Sequence, residues 1–255
     1  MANLIVAEES LNDIELVIFD KDGTLFDLHR YWSFVIIERA KYFSEMFSDY
    51  EINSIYLKLV SIMGLVGEDK ISNEGPVGIN SRNHIVEIVY KFLKTEDNNI
   101  SIQDVEEGFS IVDSTIDNNF DKVINKMPGV GSLLSSLKES KCLIALATTD
   151  ISNRTNKVLM HEKMFEYFDC IVGSDQVINS KPSVDMVDLI LNSLNVKNKK
   201  NVVLIGDSVA DLDMSINSGI RFIGVKTGLH SNRFLLDSRI LVDTLLEVKV
   251  GKNVN

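Results

Sequence analysis

Two carboxylates separated by a single residue, in Asp20-Lys21-Asp22-Gly23-Thr24, directly follow the apolar run at residues 14–19. If the extended pleat continues past Asp20, its period of two turns Asp20 and Asp22 to one side and Lys21 to the other. Like charges so close resist joint ionisation. Either a cation neutralises the pair, or one carboxyl keeps a proton and can act as an acid. A simple acidic turn closed by Gly23 is the competing reading. A second acidic stretch, Gly206-Asp207-Ser208-Val209-Ala210-Asp211-Leu212-Asp213, follows another apolar run. Taken alone, it reads as a helix cap at Asp207 or Ser208 with Asp211 and Asp213 solvated. Taken with the first stretch, it predicts five converging acids: Asp20, Asp22, Asp207, Asp211 and Asp213. Oxygen donors of this kind suit Mg²⁺ rather than zinc, and the histidines at 29, 84, 161 and 230 have no chelating spacing. Thr148 and Thr149 close a third apolar run, and Ser180-Lys181-Pro182 opens a helical pattern. Thr148 read singly is a helix cap, and Lys181 a surface charge beside a helix-starting proline. Together they offer a hydroxyl donor and a fixed cation, which a phosphoryl group needs as charge develops on its oxygens.

These residues can meet only if their runs are strands of one sheet. The short apolar segments 14–19, 142–148, 168–172, 201–206 and 221–225 alternate with helical patterns at 130–140, 152–160, 184–193 and 210–218. Strands joined by helical crossovers predict a parallel sheet covered by helices on both faces. Open sheets of this type place ligands at the C-terminal ends of their strands, where each candidate residue falls. Residues 29–121 break the alternation with amphipathic patterns at 32–47, 55–63, 84–93 and 105–116, so they read as a helical insertion too long for a structureless loop. The resulting division is 1–28 with 122–255 as the core and 29–121 as the insert. Residues 64–78, with Arg82 and His84 beyond them, are a candidate hinge or specificity loop. An ordinary inter-helix connection is favoured there.

Composition narrows the partners. The 255 residues carry 26 Lys and Arg against 37 Asp and Glu, a formal charge of −11, so non-specific binding to nucleic acid or an anionic membrane is not expected. No apolar stretch approaches a membrane span. Cys142 and Cys170 each sit inside an apolar run rather than in a paired spacing, which fits a reducing, cytoplasmic setting without a disulfide framework.

In this order the motifs resemble those of the haloacid dehalogenase superfamily, in its phosphatase branch with a helical cap inserted after the first strand, similar to phosphoglycolate phosphatases. Asp20 to Asp27 resembles the first motif, Thr148 the second, Lys181 the third, and Gly206-Asp207 through Asp211 the fourth. Lys21 departs from the apolar residue often found between the two acids. The resemblance implies an α/β fold: a Rossmann-like parallel sheet flanked by helices, with an inserted α-helical cap domain and catalysis in the cleft between them. It further implies a Mg²⁺-dependent phosphatase acting on a small phosphorylated metabolite. Asp20 would be the nucleophile and Asp22 the acid and base. Thr148, Thr149 and Lys181 would hold the phosphate, Asp20, Asp22 and Asp207 the metal, and Asp211 would support Lys181 or metal-bound water. A phosphomutase of the same superfamily retains these motifs. A phospho-aspartate receiver module, a switch without turnover, fits the residue types but not their order, since its phosphorylated Asp follows a later strand. A catalytically silent binding protein is opposed by the four intact motifs.

Overall fold

The computed structural model describes residues 1–6, 9–48, 51–117, 119–229, 238 and 240–251; His230 lies outside them. The chain opens with the strands β1 (Ala2–Val6), β2 (Glu9–Ile14) and β3 (Leu16–Phe19). The helices α1 (Leu28–Ser44) and α2 (Ile52–Met63) follow, then a short ladder of β4 (Leu65–Val66) and β5 (Lys70–Ile71), then α3 (Arg82–Glu96), α4 (Ile102–Asp117) and α5 (Phe120–Val123). Alternation then takes over: α6 (Val130–Glu139), β6 (Leu143–Ala147), α7 (Ser152–His161), β7 (Cys170–Val172), α8 (Asp185–Ser193), β8 (Val202–Gly206), α9 (Val209–Ser218) and β9 (Arg221–Val225). The strands β10 (Leu241–Val242) and β11 (Val248–Gly251) complete the chain.

Two compact units result, one of residues 1–27 with 126–255 and one of residues 28–125. In the first, six parallel strands run in the order β10-β9-β8-β3-β6-β7. The chain builds outward from β3 to one side through β6 and β7, then crosses back and builds the other side from β8. That reversal of strand order marks the place where open sheets bind ligands. All four residues of β3 are buried, as a strand covered on both faces must be. On one face Leu16 and Ile18 join Ala145, Leu204, Met186, Ile190 and Met214 in the core. Burying each large aliphatic side chain contributes roughly 1.5–3 kcal/mol.

Six strands fell outside the periodicity reading: β1, β2, β4, β5, β10 and β11. β1 lies between β2 and β11 in a separate antiparallel sheet, and β10 extends the parallel sheet by two residues. Ile14, expected to begin the first central strand, ends β2 instead.

The second unit packs its helices around Phe43, Phe109, Val89 and Leu59. The irregular stretch after α2 is a hairpin whose base closes where Gly64 and Gly75 abut; a Cβ on Gly64 would stand 2.8 Å from the Gly75 Cα. At the edge of the first unit, the segment leaving toward residue 28 and the one returning from residue 125 lie side by side. Phe26 bridges Lys126 in antiparallel fashion, and the Met127 amide donates to the Leu25 carbonyl at 2.9 Å.

Candidate active site

Register brings the site together. Phe19 pairs with Leu146 of β6 and Ile205 of β8, so Asp20, Thr148 and Asp207 all emerge at one edge of the sheet. The Asp20 amide donates to the Ile205 carbonyl at 2.9 Å, and the Thr148 amide to the Val172 carbonyl at 3.0 Å. Past Asp20 the chain turns back on itself: the amides of Leu25 and Phe26 both donate to the Lys21 carbonyl. Gly23 makes this turn possible, with φ of 91° and a hydrogen where a Cβ would sit 2.2 Å from Asp207 Oδ2.

Carboxylate oxygens of Asp20, Asp207 and Asp211 lie within 4.8 Å of one another, all buried. Lys181 enters this group from the loop before α8. Its Nζ is 2.5 Å from Asp20 Oδ1 and 2.6 Å from Asp211 Oδ1, with its side chain 2% exposed. Asp211 is fixed as well, since its Oδ2 accepts from the amide and hydroxyl of Ser208 in a capping box at the start of α9. Thr24 Oγ1 donates to Asp207 Oδ1 at 2.9 Å.

The electrostatics follow from this crowding. Burial, with Asp211 and Asp22 nearby, pushes Asp20 up to about 6 despite the pull of Lys181. Asp207 is raised well above the carboxylate range by burial and by Asp20 and Asp211, against which Thr24 works. Burial opposes the charge on Lys181, but Asp20 and Asp211 outweigh it and raise its pKa. A single ammonium contacts two of these three buried carboxylates. Fully ionised, the group carries three negative charges and one positive, or −2, which one divalent cation would balance. All-oxygen donors, buried and net anionic, fit Mg²⁺.

A second charged group stands beside the first. Lys21, 0% exposed, has its Nζ 3.0 Å from Asp22 Oδ1 and 2.9 Å from Asp150 Oδ2. Arg154 Nη1 lies 3.3 Å from Asp150 Oδ1, which also accepts from the Ile151 amide at 2.8 Å. The Asp150 amide donates to Thr148 Oγ1 at 3.1 Å. Burial raises Asp22, while Lys21 pulls against it. Burial works against ionisation of Asp150 too, but Lys21 and Arg154 outweigh it and hold its pKa low.

Several expectations change. The pleat does not continue past Asp20, so Lys21 does not point away from the two acids; it bends inward and pairs with one of them. Asp213 does not join the buried carboxylates, because two residues along a helix turn it far from the face that Asp211 presents. Thr149 is at the same edge but exposed. In the helical unit, Arg82 Nε is 3.4 Å from Asp113 and its Nη2 is 3.3 Å from Ser110, so its guanidinium is engaged within that unit. His84 is exposed near the start of α3, where its amide donates to Ser81 Oγ.

Residues not foreseen include Asp150, Arg154, Thr24, Thr227 and Gly228. The Thr227 hydroxyl donates to the Gly23 carbonyl, and a Cβ on Gly228 would lie 2.3 Å from Asp207. For Thr227 and Gly228 the signal was positional: they come two and three residues after β9, one more strand ending at the same edge.

Residues 17–225 match the haloacid dehalogenase-like hydrolases, and the chain belongs to that family. Over 120 residues it is 32% identical to a phosphorylated carbohydrates phosphatase from Thermotoga maritima, covering 47% of this chain and 55% of that protein. It is 28% identical over 96 residues to a phosphoglycolate phosphatase from Rhodobacter capsulatus, covering 38% and 42% of the two chains. The chain thus spans about half the length of these relatives. In fold it resembles a β-phosphoglucomutase from Clostridium difficile, with a TM-score of 0.62 and 22% identity over 92% of this chain and 93% of that one.

Proposed function

We propose that the protein is a Mg²⁺-dependent phosphatase that hydrolyses small organic phosphate monoesters through an aspartyl-phosphate at Asp20. The observation that carries this reading is the buried carboxylate group of charge −2, with the first-strand Asp20 gripped by Lys181 at the sheet edge. Lys181 occupies Asp20 Oδ1, which leaves Oδ2 to attack phosphorus. The P–O ester bond then breaks, and Asp22 gives its proton to the departing alcohol oxygen. In the second half, water surrenders a proton to Asp22 and attacks the phosphorus, freeing inorganic phosphate and restoring Asp20. Burial, which favours the protonated form of Asp22, prepares it for the first role. Thr148 and Thr149 are assigned to the phosphoryl oxygens, Lys181 to the charge shared by nucleophile and phosphate, and Asp211 to holding Lys181.

Asp20, Asp207 and the backbone carbonyl of Asp22 would hold the cation, which when bound supplies the charge needed to bring an anionic nucleophile against an anionic substrate. Residues 28–125, inserted directly after the first site strand, are assigned the role of a cap. The relatives named for phosphorylated carbohydrates and phosphoglycolate support a small phosphorylated metabolite as substrate. Two free cysteines support a cytoplasmic setting, and no described helix is long and apolar enough to cross a membrane.

The test is release of inorganic phosphate from a panel of sugar phosphates, phosphoglycolate and nucleoside monophosphates, with Mg²⁺ and again with chelator. Release that requires Mg²⁺ and disappears in folded Asp20→Asn is expected. Wild-type turnover by Asp20→Asn would falsify the covalent route. Return of the phosphoryl group to a sugar, without free phosphate, would identify a mutase instead.

A further inference from the structure

An apolar residue between Asp20 and Asp22 would fill buried space with no electrostatic cost. This chain places a lysine there and buries it completely. Taking an ammonium out of water costs several kcal/mol, and replacing a buried ion pair by apolar groups is often neutral or stabilising. Stability alone is therefore a weak account of Lys21. Its geometry supplies a better one. Through Nζ it ties Asp22 Oδ1 at 3.0 Å to Asp150 Oδ2 at 2.9 Å. Asp150 is itself anchored on its other oxygen by Arg154 and the Ile151 amide, and its own amide donates to the Thr148 hydroxyl. One continuous chain of contacts thus runs from Asp22 through Lys21 and Asp150 to Thr148. Fully ionised, its two acids and two cations sum to zero.

We infer that Lys21 and Asp150 form a positioning bridge that fixes the Asp22 carboxyl relative to Thr148, so that the Asp22 proton meets the leaving-group oxygen of a phosphate held by that hydroxyl. Neither residue touches substrate; both act through Asp22. By clamping Oδ1 the bridge leaves Oδ2 to carry the proton. It also couples two motifs, since a shift of the loop after β6 displaces the acid of the loop after β3.

This inference rests on the phosphatase reading, and leaving-group chemistry separates the two. An alkyl phosphate needs a proton on its departing oxygen, whereas p-nitrophenolate leaves without one. The measurement is kcat/KM, which reports the step that breaks the ester bond, for the best alkyl phosphate of the panel and for p-nitrophenyl phosphate. Asp22→Asn sets the scale for complete loss of the acid, typically 10²–10⁴-fold. Lys21→Met and Asp150→Asn are expected to lower kcat/KM for the alkyl phosphate by about 10- to 100-fold, with less than about a threefold change for p-nitrophenyl phosphate. Equal losses on both substrates, or no loss on either, would overturn the bridge. Asp150→Asn preserves shape and carries the test if Lys21→Met does not fold, as thermal unfolding reveals. A wild-type protein inactive on both esters would remove the phosphatase reading, and the bridge with it; an active one with uniform losses removes the bridge alone.

Discussion

Lys181 and Lys21 are both buried at the same sheet edge, and each is shared between two aspartates, yet their surroundings differ in one decisive respect. Around Lys181 the third carboxylate, Asp207, has no ion-pair partner among the described residues, and the fully ionised group is left at −2. Around Lys21, Arg154 supplies a second positive charge, and the fully ionised group closes at zero. One arrangement is an unfinished charge pattern that invites a divalent ion. The other is complete and serves to hold a shape. A buried ion pair can thus be read by what it leaves unbalanced rather than by its distance.

The comparison can be broken most decisively at the nucleophile. Asp20→Asn should lower turnover by at least about 10³-fold, the scale on which loss of a covalent nucleophile acts, while circular dichroism reports an unchanged fold. Lys181→Met comes next, with an expected fall in kcat of about 10²–10³-fold on aryl and alkyl phosphates alike. That uniformity is what separates it from Lys21→Met. Thr24→Val removes the donor to Asp207 Oδ1 and touches no substrate. The Mg²⁺ concentration for half-maximal activity should rise about 10- to 100-fold, the usual cost of losing a group that orients a metal ligand.

The smallest effect concerns pH. With its pKa raised from 3.8 to about 6, Asp20 keeps a proton in the folded chain where the unfolded chain has lost it. The folded state therefore binds the extra proton, and stability falls as pH climbs through that window. Asp207, shifted in the same direction, adds to the slope. In chelator, the midpoint of thermal unfolding should drop by roughly 3–5 °C between pH 5 and 7.5 relative to Asp20→Asn, and Mg²⁺ should restore it. A flat difference between the two proteins would mean that burial and the neighbouring carboxylates do not hold the Asp20 pKa up.

The parallel sheet was legible because its strands are apolar runs that end in polar residues, and each crossover helix carries a clear 3.6-residue pattern. Asp20, Thr148, Asp207 and Asp211 were legible because every one of them directly follows such a run or opens the helix after it, and Lys181 because Pro182 beside it marks the approach to a helix. Lys21 was misplaced by extending a local period beyond the point where the backbone carbonyl of Lys21 itself gathers two amides and folds the chain back. Asp150 stood in view as the last residue of Ala145-Leu146-Ala147-Thr148-Thr149-Asp150, and Arg154 lies four residues on, but its other partner, Lys21, comes from a distant segment that no spacing announces. The antiparallel pairing of β1 with β11 was hidden for the same reason. It joins opposite ends of the sequence, with Asn3 opposite Gly251, and local periodicity carries no information about such partners.

The bridge between Phe26 and Lys126 means that everything from residue 28 to residue 125 departs from and returns to adjacent points of the sheet unit. Antiparallel neighbours of this kind are about 5 Å apart, a gap that a tight two-residue turn spans. The junction is therefore short enough that an Asn-Gly loop could close the chain across it, joining residue 26 to residue 126 without stretching either segment.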